Sequence, residues 1–172
     1  ITNMPTLERI CVSQLPFPPE GFNLDSTNSP NVFFTTGCDP NSIVNIPDAN
    51  FLAALIEEGV DTNEDGLISY EEAESVTRLT VDGEWPVPYD TIHDMTGIEA
   101  FVNLTELFCN YNQLINLDVS NNTALTYLWC YINQLTNLDV SNNPDLIVLS
   151  CSGNQLTSLD VSNNPELGTL LL

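Results

Sequence analysis

The chain contains no lysine and only two arginines, Arg9 and Arg78, against 24 acidic residues. A formal charge of −22 at pH 7 repels phosphate, so nucleic acid and anionic membrane surfaces are excluded as partners. A single histidine, His93, and the absence of lysine leave few groups able to serve as a base or electrophile, and no serine sits in a nucleophile motif. Carboxylates are plentiful but fall in a loop motif, in repeat turns or at scattered positions, with no convergent constellation. An enzyme is therefore not expected. No apolar run reaches the length of a membrane span, and the first residues do not read as a signal peptide, so any export signal or anchor is expected to lie outside this chain, with no direct membrane insertion.

What the chain has is repetition. Residues 104–172 recur every 21 residues: Cys109, Cys130 and Cys151, then Asn112, Asn133 and Asn154, then Asp118-Val119-Ser120 returning at Asp139 and Asp160. One unit reads L-x-x-L-x-C-x-x-N-Q-L-x-x-L-D-V-S-x-N, as in Leu125 to Asn143. A period in this range is the mark of a solenoid, in which each coil buries its apolar face on the next. The unit resembles the leucine-rich repeat, with cysteine replacing one core leucine. The expected fold is an α/β-type repeat solenoid, mostly β, with parallel strands roughly 4.8 Å apart. Leu, Cys and Val should form the core, and the recurring Asn should bond backbone groups of its own and the adjacent coil. The three cysteines then read as buried thiols, because sulfurs in line on parallel strands cannot surround a tetrahedral metal ion. Asp118, Asp139 and Asp160 read as caps of the turns that follow them.

Asp61 to Glu72, DTNEDGLISYEE, fits D-x-[DN]-x-[DN]-G-x5-E and so resembles an EF-hand calcium loop. Calcium seeks six to eight oxygens, and this spacing offers them from Asp61, Asn63 and Asp65 by side chain, Leu67 by backbone carbonyl, Ser69 directly or through water, and Glu72 in bidentate fashion. Gly66 makes the sharp turn and Ile68 should point to the core. Pro47 to Glu58 reads as the entering helix, with apolar Phe51, Leu52, Leu55 and Ile56 and with Gly59 just past its end. Glu71 to Val76 reads as a short exiting helix. EF-hands usually work in pairs, and one loop alone points to a structural calcium site rather than a sensor.

Val76 to Val81 looks like a first, atypical strand, and Ile92 to Leu104 like a degenerate repeat, with Asp82 to Thr91 inserted between them. The helix and loop are placed to cap the solenoid end. The run IPDANF…GVDTNEDGLIS…EA…TGIEAFVNL is similar to the caps of secreted leucine-rich-repeat proteins of the Bacteroidetes, especially flavobacteria. That resemblance, over residues 46–172, implies an extracellular or cell-surface protein, often exported by the type IX route. Two short triplets, Asp25-Ser26-Thr27 and Asp90-Thr91-Ile92, resemble the O-glycosylation motif of that group.

Ile1 to Ile10 aligns in phase with Val161 to Leu170, as if the chain began inside the last repeat of a preceding solenoid. The expected organisation is 1–45 as the end of such a module plus a Pro/Asn-rich linker, 46–76 as cap, and 77–172 as solenoid, within a longer tandem protein. Cys11 and Cys38 flank the linker, and a disulfide between them would stabilise it by roughly 3.5 kcal/mol on the chain-entropy model.

Strand alternation sends Glu106, Phe108 and Asn110, then Tyr127, Trp129 and Tyr131, then Val148, Ser150 and Ser152 to one outer face, with Tyr111 and Ile132 continuing it. Exposed aromatics beside a carboxylate suit sugar rings or a protein partner. Two functions follow: a calcium-stabilised extracellular stalk or filament built from neighbouring copies or modules, or an adhesin that binds glycan or protein through Glu106, Phe108, Tyr111, Tyr127, Trp129 and Tyr131.

Overall fold

The computed structural model describes residues 9–11, 33–35, 43–83 and 91–172, the first two segments by backbone alone. The chain divides into two units, Ile1–Ile43 and Val44–Leu172. In the first, β1 (Arg9–Cys11) lies parallel to β2 (Phe33–Thr35), with Arg9 opposite Phe33. Arg9–Cys11 and Thr169–Leu171, which the expected phase match of Ile1–Ile10 to Val161–Leu170 would make equivalent, are both strands. The Cys11–Cys38 bridge and the Asp25 triplet lie outside the described residues.

The second unit opens with α1 (Ala49–Glu57). It begins two residues after Pro47, because Asp48 is the N-cap and its carboxylate accepts the amides of Asn50 and Phe51 at 2.8 and 3.2 Å. The other oxygen of Asp48 accepts His93 and Asp94 amides, tying the helix start to the segment after residue 91. At the far end Gly59, with φ of 78°, donates to Ile56 while Val60 donates to Leu55, the two bonds of a Schellman C-cap. Phe51 and Leu55 are fully buried; Ile56, expected on the same apolar face, is exposed at the helix edge.

After the acidic loop comes α2 (Tyr70–Ser75), one residue earlier at each end than expected. Ser69 and Glu72 form a reciprocal capping box that fixes its first turn. Then β3 (Arg78–Thr80) starts a parallel sheet that continues through β4 (Glu106–Phe108), β5 (Tyr127–Trp129), β6 (Val148–Ser150) and β7 (Thr169–Leu171) in that spatial order. The register is constant, Leu79, Leu107, Leu128, Leu149 and Leu170 forming the central row. The degenerate repeat carries a 3₁₀ turn, Ile98–Ala100, and buries Ile92, Met95, Ile98, Phe101 and Leu104 against the same core.

Two rows of asparagine hold the coils together. In the first, Asn133 donates to the carbonyls of Cys109 and Cys130, both at 3.0 Å, and accepts the Leu114 amide; Asn112 and Asn154 repeat the pattern. In the second, Asn143 donates to Val119 and Asn122, and Asn164 to Val140 and Asn143, while Asn122 reaches Ile98 and Phe101. Cys109, Cys130 and Cys151 are buried free thiols in the core, as their ladder position requires.

Candidate functional site

The outer face of the sheet carries three rows set by the parallel register. Arg78, Glu106, Tyr127 and Val148 make one, Thr80, Phe108, Trp129 and Ser150 the second, and Asn110, Tyr131 and Ser152 continue past the strand ends. Because parallel strands stack equivalent positions, aromatic residues in successive coils meet ring to ring. Phe108 and Trp129 pack edge-to-face with centroids 5.3 Å apart, Tyr111 and Tyr131 do the same at 5.1 Å, and Trp129 and Tyr131 lie 6.4 Å apart. Trp129 remains 36% exposed, and Phe108, Tyr111, Tyr127 and Tyr131 are half-buried. The face thus gathers all six residues expected there.

Two neighbours depart from that expectation. Asn110 is buried: its side chain donates to Asp82 at 2.9 Å and accepts the Tyr131 amide, so it joins coils instead of facing solvent. Ser150 is also buried, a small side chain lying in its row between Trp129 and Leu171.

At the β3 end Arg78 lies with its guanidinium carbon 5.0 Å from the Phe108 centroid and one nitrogen 3.4 Å from the Glu106 carboxylate. Composition alone did not reveal this stacking, although the register of a first strand at 78–80 would have placed Arg78 beside Glu106. Asp82 closes the same end. Burial pushes its carboxyl above the usual value, although hydrogen bonds from Asn110 work the other way. The Tyr131 hydroxyl is pushed up by burial, by a hydrogen bond with Tyr111 and by the nearby charges of Tyr111 and Asp82.

Tyr111 and Ile132 adopt left-handed backbone with φ of 55° and 53°, and the equivalent third position is Gly153 with φ of 67°. A β-branched residue at positive φ is held there by its surroundings, at a cost of about 1–2 kcal/mol.

The acidic loop is folded around its own amides. Asp61 accepts from Asp65 and Gly66 at 3.1 and 2.8 Å, Asn63 from Asp65 at 2.9 Å, and Asp65 from Leu67 at 2.9 Å. Glu72 accepts from Thr62 and Asn63 on one oxygen and from Ser69 on the other. Burial alone would raise the Glu72 carboxyl, but the bonds from Ser69 and Thr62 outweigh it and hold it below the usual value. Ile68 is buried, and its carbonyl accepts the Val44 amide at 2.8 Å, so a strand-like segment of this chain meets the loop.

Among the described residues no three His, Cys, Asp or Glu side chains converge on a point that would hold a metal ion. The remaining donors expected of the loop, Asn63, Ser69 and the Leu67 carbonyl, are of other kinds. All are hard oxygens of the type calcium takes, while Glu72 turns both of its oxygens to the loop, one toward Thr62 and Asn63 and the other toward Ser69. The donor types match calcium.

Thr91 of the second glycosylation triplet is buried, and its hydroxyl accepts the Gln113 amide at 3.0 Å, so it is not presented for modification. Asp118, Asp139 and Asp160 each accept the amide of the serine two residues on, at 2.9 Å, the turn caps that were expected. No helix among the described residues is long and apolar enough to cross a membrane.

The fold is an internalin-like leucine-rich-repeat solenoid with 21-residue coils. No family model matches the chain. Internalin J of Listeria monocytogenes serotype 4b (strain F2365) is 43% identical over 77 residues, 45% of this chain and 8% of that protein. Among solved structures, the functional domain of InlJ from Listeria monocytogenes, which includes a cysteine ladder, matches with a TM-score of 0.64 at 43% identity, covering 72% of this chain and 26% of that one. An internalin of the same species, inlF, matches at 0.60 and 27% identity over 71% of this chain and 35% of its own. Internalin C2, at 0.61 and 19% identity, shares the fold.

Proposed function

We propose that the chain is a non-enzymatic, extracellular recognition module that binds a protein partner through the aromatic outer face of its sheet. The observation that carries this reading is the joined cluster of Phe108, Trp129, Tyr131 and Tyr111, with Trp129 still exposed at its centre. Aromatic side chains bury much area at small entropic cost and recur at the energetic centres of interfaces. The solenoid backbone holds them rigidly, so little ordering remains to be done on binding. The likeness to internalin J supports a surface role. The order of the cap motifs supports a Bacteroidetes source and type IX export as part of the same reading.

Within this reading the acidic loop is a calcium-stabilised cap. Asp61, Asn63, Asp65, Ser69 and Glu72 would hold the ion by side chain and Leu67 by its carbonyl, and the ion would supply only charge neutralisation and rigidity. A second role, as one module of a tandem stalk, is favoured by the parallel pairing of β1 with β2. The test is a pull-down of surface proteins and an array of glycans with the chain and its Trp129→Ala variant. Trp129-dependent capture of a protein supports the module; capture that is equal for both forms sinks it.

A further inference from the structure

The acidic loop is bonded to a segment outside it. The Val44 amide donates to the Ile68 carbonyl at 2.8 Å. That carbonyl and the Ser69 amide belong to one peptide group, which is planar and stiff and points the two in opposite directions. The Ser69 amide in turn donates to Glu72 Oε2 at 2.9 Å, and the Ser69 hydroxyl donates to the same oxygen at 2.9 Å. Val44 therefore holds one edge of a plane whose other edge is bonded to the last carboxylate of the loop.

The segment 44–46 is fixed independently of the loop. Val44 is buried and Ile46 packs against the core. Gly97, with φ of 107°, lies so close that a Cβ there would fall 2.7 Å from Ile46 Cγ1 and 3.0 Å from the Asn45 carbonyl oxygen. Only glycine brings a turn in at that distance with that backbone. The Gly97 amide donates to Glu99 at 2.8 Å, and just past Ile46 the Asp48 carboxylate joins the start of α1 to His93 and Asp94. The segment thus takes its position from residues 93–99 as well as from the loop.

Resting on the calcium-stabilised cap proposed above, we infer that Val44–Ile46 is part of the calcium site, although none of the expected donors comes from it. Val44 is a positioning residue: through the Ile68–Ser69 peptide it fixes Glu72, and Gly97 fixes Val44 through Asn45 and Ile46. A lone loop is in this way braced from within its own chain. The linkage runs both ways, so calcium should hold the Val44 amide to Ile68 by the same factor as that bond tightens calcium.

The test uses the whole chain, titrated with calcium chloride in a calorimeter, together with amide hydrogen exchange read by NMR in calcium and in chelator. Calcium is expected to slow exchange of the Val44 amide about fivefold or more, the range of one backbone hydrogen bond. The Gln134 amide, bonded to Leu114 within the coils, should exchange alike in both. Val44→Pro, which lacks the donor, should weaken calcium binding by about the same factor. Gly97→Ala should weaken it too, and Gly153→Ala, at another positive-φ glycine, should not. If Val44→Pro does not fold, the exchange comparison on the unaltered chain decides the matter. No heat and no change in exchange on adding calcium removes the calcium cap and the inference with it. Calcium binding that leaves Val44 exchange unchanged, or slows Val44 and Gln134 equally, keeps the calcium site and overturns the brace. Binding at wild-type strength by folded Val44→Pro or Gly97→Ala overturns it as well, and so does equal weakening by Gly97→Ala and Gly153→Ala, which is general loss of stability.

Discussion

Asn133 donates to the backbone carbonyl of Cys109, 24 residues earlier, at 3.0 Å, and so bonds one coil to the next inside the core. Asn133→Leu removes that bond along with those to Cys130 and Leu114, stranding buried backbone groups. Stranded groups cost about 1–3 kcal/mol each, so the variant should lose about 3 kcal/mol or more in urea unfolding followed by circular dichroism. Asn154→Leu, where the equivalent side chain is only half-buried, should lose less. Equal, small losses would mean the ladder is redundant.

Adjacent positions on β5 should behave oppositely. Leu128 is fully buried and Trp129 is exposed. Leu128→Ala is expected to cost about 2–5 kcal/mol of stability. Trp129→Ala should leave the unfolding midpoint nearly unchanged while weakening partner binding. A large stability loss at Trp129 would place the ring in the fold's own packing and not in recognition.

Calcium should raise the melting temperature of the chain. At a hundred times the dissociation constant the gain is about 2.7 kcal/mol. Asp61→Asn should abolish the difference between calcium and chelator and also lower the chelated melt, because the amide keeps only one of the two acceptors used by Asp65 and Gly66. Glu72→Ala should lower the melt even in chelator, because it also removes the capping box on α2. Identical melting of wild type with and without calcium would remove the ion from the cap's role.

Stability should fall in acid. Burial raises Asp48, yet amides of His93, Phe51, Asp94 and Asn50 hold it below its usual value, and Glu72 is depressed for the reasons given above. Asp118, Asp139 and Asp160 are lowered by the bonds from Ser120, Ser141 and Ser162. A carboxyl depressed in the folded state stabilises above its unfolded value, and that contribution disappears as pH falls through the folded one. Asp82, raised by burial, acts in the opposite sense. The net expectation is a loss of stability beginning near pH 4 and deepening below it, read as a falling urea midpoint.

The ladder thiols should be inert. Burial pushes Cys109 and Cys130 far up and Cys151 up, so the reactive thiolate is scarce in the folded chain. Ellman's reagent should label these three only on unfolding. Fast labelling in the native chain would show that the coils open locally.

The solenoid was legible because a repeat states its own register: once Leu107, Leu128 and Leu149 are in phase, the strands, the core and the outward rows all follow. Five of the six residues of the face came from that alternation, and Tyr111 from its place at the strand end. Asn110 and Ser150 broke it because alternation does not record how a short polar side chain is shaded or captured by neighbours such as Trp129 and Asp82. The helix start at Ala49 was missed by taking Pro47 as the first helical residue when Asp48 was the stronger signal. The capping box at Ser69 and Glu72 was readable in the spacing but was absorbed into the metal motif, since both motifs ask for the same glutamate. The second asparagine row, at 122, 143 and 164, was visible as a repeat, but no pattern tells which of two recurring asparagines turns inward.

That second row, taken with the first, fixes more than stability. Each coil is pinned at two asparagines, and side-chain bonds run 21 residues along the chain from Asn143 to Asn122 and from Asn164 to Asn143. Adding or deleting a single residue between the two pins would throw one row out of line with its neighbours. Change in length is therefore tolerated only as whole coils, and a lineage carrying this architecture should grow or shrink by duplicating and losing entire repeats, while point substitution reshapes the outer face.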